Sequence, residues 1–351
     1  MGPYFGALFH SSSLGLLSLS LPLTPSHQPL ERAWIASQTR SVLLMLIPTL
    51  DSCLAVLSPS TPPTPSTTSS STSTLVVSTP HAEKLKGTVT RSGTALVRGS
   101  LAVQLRTQPP TTLTLDPRTP VVVAPLESIR ARLARCVALA AKLSSSNDSP
   151  EELAARLAEM ACSLQASVSL LAGASAPTPI DTPLAHSRPT TAHSFLSPSH
   201  TLHRSRSHIQ LRPVAPSVFP TLPAPEWTTL SASPSHFSPP APPTLSMHIS
   251  VANSLLVITL RALEPADAPI NIGTKLGLAF GTVRRLEHDE MDRVFWYCPH
   301  GEAGLKVYVR EKVMVESADP SLLALAAKMA SVGHALEQAR RNLADVLGID
   351  E

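Results

Sequence analysis

The feature that most constrains this chain is an apolar run near its C-terminus that alternates spacings of three and four without a break. Leu322, Leu325, Met329, Val332, Leu336, Ala339, Leu343 and Val346 follow that rule, which places them on one stripe of a helix and predicts packing against other helices. Asp319 can cap, Pro320 suits the first helical position and Gly348 follows the last apolar residue, so a helix is expected over 320–347 within a unit spanning 319–348. A two-stranded zipper between chains sets charged residues beside such a seam. The flanks here are mostly small or apolar, with Ala326, Gly333, Ala335 and Leu347 against Lys328, Arg340 and Asn342. That breadth suits a bundle, and the partners of the seam are expected in the same chain.

Three further helical patterns supply them. Residues 29–57 carry Leu43, Ile47, Leu50, Leu54 and Leu57 on one face, with Pro48 expected to kink the helix. Residues 126–173 hold two patterns. Leu126, Ile129, Leu133, Cys136, Ala140 and Leu143 make the first, and Leu153, Leu157, Met160, Leu164, Val168 and Leu171 the second, which stops at Gly173. Ser149, Pro150 and Glu152 mark the start of the second with a capping box. The short break between the two predicts an antiparallel hairpin. Arg130, Arg132 and Arg135 on one member could pair with Glu151, Glu152 and Glu159 on the other.

Between the helices the period changes. In 83–125, Leu85 and Val89, a turn over 91–94, then Leu101, Val103 and Leu105 alternate as strands do, and Leu113, Leu115 and Val121 to Val123 extend the pattern. A second strand region, 247–318, contains Ile249, Val251 and the run Leu255 to Leu260, with weaker candidates at 278–283, 294–297 and 305–315. The fold class expected is therefore α+β: an antiparallel helical bundle from N-terminal, middle and C-terminal helices, with a separate, mainly antiparallel β-domain.

Composition limits how much of the 351 residues can pack. The chain holds 35 Pro, 4% aromatic and 15% charged residues, so the core must rest on Leu, Val and Ala. Residues 1–28 read as a disordered leader, 58–82 as a disordered Ser/Thr/Pro linker and 174–246 as a disordered Pro/Ser/His-rich linker, too polar to offset the entropy of ordering. No run reaches the length of a transmembrane helix, because the best, Val42 to Leu57, contains Pro48 and Asp51. A net charge of +3 gives no argument for nucleic acid.

Motifs of chemistry are missing. There is no Gly-rich phosphate loop, no G-x-S-x-G elbow and no H-E-x-x-H. Glu287, His288, Asp289, Glu290 and Asp292 form the densest polar cluster and read as a solvated hairpin turn; Cys298 and His300 have no third group to orient them. His186, His193, His200, His203 and His208 lack carboxylate or thiol companions at ligand spacing. Cys53, Cys136, Cys162 and Cys298 lie far apart and read as reduced, buried thiols. No catalytic, cofactor-binding or metal-ligating residues are assigned, and no cofactor is expected. The residues singled out are those of the bundle seam: the eight of the C-terminal helix with Leu126, Ile129, Leu133, Leu153, Leu157 and Leu164.

Taken in order, four segments carry a family resemblance. They are LERAWIASQTRSVLLMLIPTLDSCLAVL in the first helix, KLKGTVTRSGTAL in the first strand pair, FSPPAPPTLSMHISVANSLLVITLRALEP, and ADPSLLALAAKMASVGHALEQARRNLADVL at the end. With the hairpin from Leu126 to Leu171, they resemble the Rogdi family, the smaller subunit of the RAVE complex that regulates assembly of the vacuolar proton-translocating ATPase. The resemblance implies an elongated molecule with a bundle from both chain ends and a β-domain. It further implies a non-enzymatic subunit whose partners are a large β-propeller-containing RAVE subunit and peripheral-sector subunits of the ATPase. Such a protein would be cytoplasmic, recruited peripherally to vacuolar or endosomal membranes through its partners, with no nucleic acid bound. The heptads alone suggest the alternative, a leucine-zipper dimer with a transcriptional or scaffolding role. Against it, Arg293, Lys306, Arg310 and Lys312 lie in strand-like sequence, and Pro320 interrupts any fused basic helix.

Overall fold

The computed structural model describes residues 28–58, 72–80, 83–173, 224–267, 288–291, 293–299 and 304–348. Four long helices, α1 (Gln28–Leu57), α2 (Ala124–Ser145), α3 (Pro150–Ala172) and α5 (Pro320–Leu347), are joined by a single-turn α4 (Trp227–Leu230). The strands are β1 (Thr72–Ser78), β2 (Leu85–Ser92), β3 (Ala95–Val103), β4 (Thr111–Thr114), β5 (Val121–Val122), β6 (Leu245–Ala252), β7 (Leu255–Pro265), β8 (Val294–Tyr297) and β9 (Leu305–Ala318). The class is α+β.

Local chemistry fixes the helix ends. Asp319 caps α5 by accepting from the Ser321 backbone N–H, Pro320 follows it, and Gly348 closes the helix at φ 68, a conformation that favours glycine. At α3, the Ser149 side chain accepts from Glu152 N, and Gly173 ends the helix at φ 97. Pro48 lies inside α1 without ending it.

The helices meet in a ring. α1 lies against α2 and α5, and α3 against α2 and α5. The α5 stripe is therefore covered by α1 and α3, while α2 meets those two helices from the other side. Leu322, Leu325, Met329, Val332, Leu336, Ala339 and Leu343 are buried, and Val346 is partly buried against the same core.

Both sheets are antiparallel. The first runs β1-β2-β3-β4, with β5 also on β3, and the second β6-β7-β9-β8. β8 pairs only with Leu305 to Tyr308 of β9, and the C-terminal half of β9 comes alongside β1, where the Ser317 hydroxyl donates to Val76 O at 2.8 Å. The β6–β7 hairpin turns on Asn253 and Ser254, both with positive φ, as a two-residue I′ loop requires. Its Ser254 N donates to Leu171 O at 2.8 Å, docking the hairpin on the end of α3.

Several expectations are corrected. The β-region is not separate: one contiguous apolar core joins Leu43 of α1, Val89 of β2, Leu133 of α2, Ile258 of β7 and Leu336 of α5. The linker assigned to 58–82 contains β1, whose Leu75 and Val77 are buried while Thr74, Val76 and Ser78 face outward. Two buried apolar residues at a spacing of two suffice when an existing sheet supplies the other partner. The linker assigned to 174–246 contains α4, a 3-10 turn at Pro234–His236 and the start of β6, with Trp227, Phe237 and Leu245 buried. α1 is also longer and more apolar than the expected limit: an 18-residue window has mean hydropathy 1.7, enough by length and composition to cross a membrane. Pro48 and Asp51 do not lower it enough, and in the structure Leu43, Leu50, Cys53 and Leu57 are buried in the common core. The leader, the His-rich stretch and the strand candidate at 278–283 lie outside the described residues.

Candidate functional site

Three ion pairs, each with a buried carboxylate, tie distant segments together. Arg91 and Asp319 are both fully buried, with Nε to Oδ2 at 2.6 Å. Arg91 Nη1 donates to Gly93 O and Nη2 to the Ser321 hydroxyl. Asp319 Oδ1 in turn accepts from Ser321 N at 2.9 Å and Ser321 Oγ at 2.7 Å. Burial pushes the Asp319 carboxyl up, but the Arg91 and Ser321 hydrogen bonds and the Arg91 charge outweigh it, so its pKa lies below the ordinary value. Through Arg91 the β2–β3 turn plugs the N-terminus of α5. In the second pair Glu311 of β9 meets Lys84 Nζ at 3.0 Å and accepts from Arg106 N at 2.8 Å.

The third pair stands beside a cavity. Arg261 of β7 grips Glu290 through Nε at 2.7 Å and Nη2 at 2.8 Å. Its guanidinium lies 4.5 Å from the centre of the Trp227 ring, a cation–π arrangement. Lys312 of β9 reaches Glu290 at 2.9 Å and Asp289 at 2.8 Å. The Lys312 hydrogen bond holds the Asp289 carboxyl below its usual value. For Glu290, burial opposes, and the Arg261 and Lys312 contacts more than compensate. Trp227 also meets Phe295 edge-on at 5.1 Å, within a small second core that includes Leu263, Tyr297, Val307 and Val309.

Next to this cluster, a cavity of about 430 Å³ opens between one face of the second sheet and the ends of α2 and α3. Its floor carries His248, Ser250, Thr259 and Arg261, and its rim Leu230 and Met314. Burial, aided by the Arg261 charge, pushes His248 down to about 4, so the ring is neutral at pH 7 and offers one donor and one acceptor. The size is that of a small-molecule or peptide pocket. The arrangement is suited to holding rather than to proton transfer, because both Glu290 oxygens already accept from cations.

The acidic cluster is thus a correction. Glu290 is buried and paired, not part of a solvated turn, while Asp289 stays exposed. Glu287, Asp292 and His300 lie outside the described residues; Cys298 N donates to Thr228 O at 2.9 Å. Among the described residues no group of three His, Cys, Asp or Glu side chains is placed to hold a metal ion. Cys162 is exposed and Cys298 half-buried, whereas Cys53 and Cys136 are buried, so only two of the thiols fit the expectation of burial. The expected pairing across the hairpin is also different: Arg130 pairs with Glu127, Arg156 with Glu159, and Glu151 with Arg32 of α1. The other seam residues, Leu126, Ile129, Leu133, Leu153, Leu157 and Leu164, are all buried. Neither Arg91 nor Arg261 was signalled by any motif, since each partner lies far away in sequence or in an acidic run that looks solvated.

No curated protein matches the chain. The family model described as Rogdi leucine zipper containing protein matches residues 31–344, a span that runs from the first turn of α1 to the last turn of α5 and takes in both sheets, the paired cluster and the cavity. The chain belongs to the Rogdi leucine zipper family.

Proposed function

We propose that the protein is a non-enzymatic assembly factor, the smaller subunit of a RAVE complex. It binds a large β-propeller-containing subunit and, through it, helps the peripheral sector of the vacuolar proton-translocating ATPase rejoin its membrane sector. Family membership across 31–344 carries this reading. In it the four long helices act as an antiparallel bundle, and the protein works in the cytoplasm, reaching vacuolar or endosomal membranes through its partners. The paired cluster fits a binding role, since its carboxylates are neutralised by cations in place and not left for a reaction.

Affinity purification of the tagged chain from cytosol is the test. Recovery of the large RAVE subunit together with peripheral-sector ATPase subunits is expected, and recovery of neither overturns the reading. A strain lacking the gene should also acidify its vacuoles poorly. A zipper dimer through the α5 seam would first have to expose Leu322, Leu325, Met329 and Leu336, each fully buried within one chain.

A further inference from the structure

The cavity beside the Arg261 cluster has a floor that its paired charges do not explain. Side chains alternate across a sheet, and one set of the second sheet, with Ile249, Ile258 and Val315, lies in the common core. The opposite set forms three rows across β6, β7 and β9: His248, Thr259 and Met314; Ser250, Val257 and Glu316; Ser246, Arg261 and Lys312. Neighbouring strands lie about 4.8 Å apart, so His248, Ser250, Thr259 and Arg261 share one small patch of the floor.

That patch holds unused polar groups. Thr259 is 5% exposed, yet among the described residues neither its hydroxyl, nor that of Ser250, nor the His248 ring makes a hydrogen bond. Arg261 gives Nε and Nη2 to Glu290 and leaves Nη1 buried without a partner there. Buried polar groups in that condition weaken a fold unless something else pairs with them.

Charge narrows what that is. Arg261 and Lys312 are offset by Glu290 and Asp289, the His248 ring is neutral at pH 7, and Glu226 and Glu316 in the lining are exposed to solvent. An anion on the floor would compete with Glu290 for Arg261, and a cation would face Arg261 and Lys312. Either would lose hydration without a free counter-charge, so the group that fits is uncharged. It must accept from Arg261 and both donate to and accept from a neutral imidazole and two hydroxyls, as a carboxamide does. Leu230 and Met314, 46% and 56% exposed, line the same cavity, and Val257 belongs to neither apolar core. Water satisfies the floor but leaves these apolar side chains wet.

We propose that this cavity binds a small uncharged molecule that sets a carboxamide on His248, Ser250, Thr259 and Arg261 and lays an apolar body against Leu230 and Met314. The site does not depend on which complex the protein joins.

Three probes of similar shape test this on the full chain at about pH 6: N-acetyl-leucinamide, which is uncharged, N-acetyl-leucine, an anion, and leucinamide, a cation. Titrations followed by saturation-transfer NMR should show the first binding and the other two at least about tenfold weaker. Thr259→Val, which keeps the shape and removes the hydroxyl, and Ser250→Ala should each weaken binding about three- to tenfold with unchanged circular dichroism. His248→Gln keeps a donor and an acceptor and should still bind, whereas His248→Leu should not; Ser250→Ala serves if the buried variants fail to fold. The proposal is overturned if N-acetyl-leucinamide does not bind, if either charged analogue binds as tightly, or if the folded hydroxyl variants bind as wild type. A capped leucine-rich peptide binding about a hundredfold tighter than N-acetyl-leucinamide would also overturn it, since the occupant would then be a stretch of polypeptide.

Discussion

The two longest helices, α1 and α5, lie against each other and use their apolar residues in opposite ways. α5 concentrates them on a stripe, and its large seam residues from Leu322 to Leu343 are buried. α1 spreads them round the cylinder. Leu43, Leu50, Cys53 and Leu57 face the core, but Trp34, Leu44 and Met45 are 61%, 56% and 77% exposed. In the most apolar window of α1 only 22% is buried. Apolar content therefore measures neither burial nor contribution to stability; phase does. At its N-terminus α5 also begins on a buried ion pair to β2.

The largest expected effect tests the stripe. Leu336→Asp places a carboxylate where the side chain is fully buried and should cost about 5 kcal/mol or more, enough to unfold a domain of ordinary stability. Thermal melting decides it: a melt like that of wild type would move the seam elsewhere. Next comes the anchor. Arg91→Ala leaves Asp319 buried without its cation and should destabilise by about 3 to 5 kcal/mol, measured by urea unfolding, while replacing both partners with apolar residues should restore much of the loss.

The same anchor has a pH signature. The Asp319 pKa is lowered on folding from its ordinary value of 3.8, so the folded state binds its proton less readily than the unfolded one. Its contribution is present above that value and fades as pH falls below it toward the lowered folded value. Asp319→Asn should therefore flatten the acid limb of the stability profile below about pH 4; an unchanged limb would show that another carboxylate dominates there. The smallest effect belongs to α1. Met45→Asp, on its exposed face, should shift stability by less than about 0.5 kcal/mol, and a loss comparable to that at Leu336 would erase the contrast between the helices.

Much of the α-helical part was legible in the sequence because its signals are local. The bounds of α5 follow from Asp319, Pro320 and Gly348, and those of α3 from Ser149 and Gly173. What escaped depends on contacts that no window contains. Arg91 sits in a stretch that reads as a turn, and its partner lies 228 residues away. Glu290 belongs to an acidic run whose charge suggests water, yet Arg261 lies 29 residues before it and holds it in the interior. β1 was hidden in a Ser/Thr-rich stretch, because a strand added to an existing sheet needs few apolar residues of its own. The cavity was invisible for the same reason, being assembled from the ends of α2 and α3 and three strands.

The closure of α1 by α5 also sets a schedule for synthesis. α1 leaves the ribosome before the other helices, with one face that belongs in the core and another that stays outside it. Helix α5, with its Asp319 anchor, is translated tens of seconds later at ordinary elongation rates. During that interval the side of α1 that α5 will cover stays open even after α2 has reached the other side, a surface that holding chaperones recognise. A message truncated before Asp319 would thus yield a product caught permanently in that exposed stage, bound for aggregation or proteolysis.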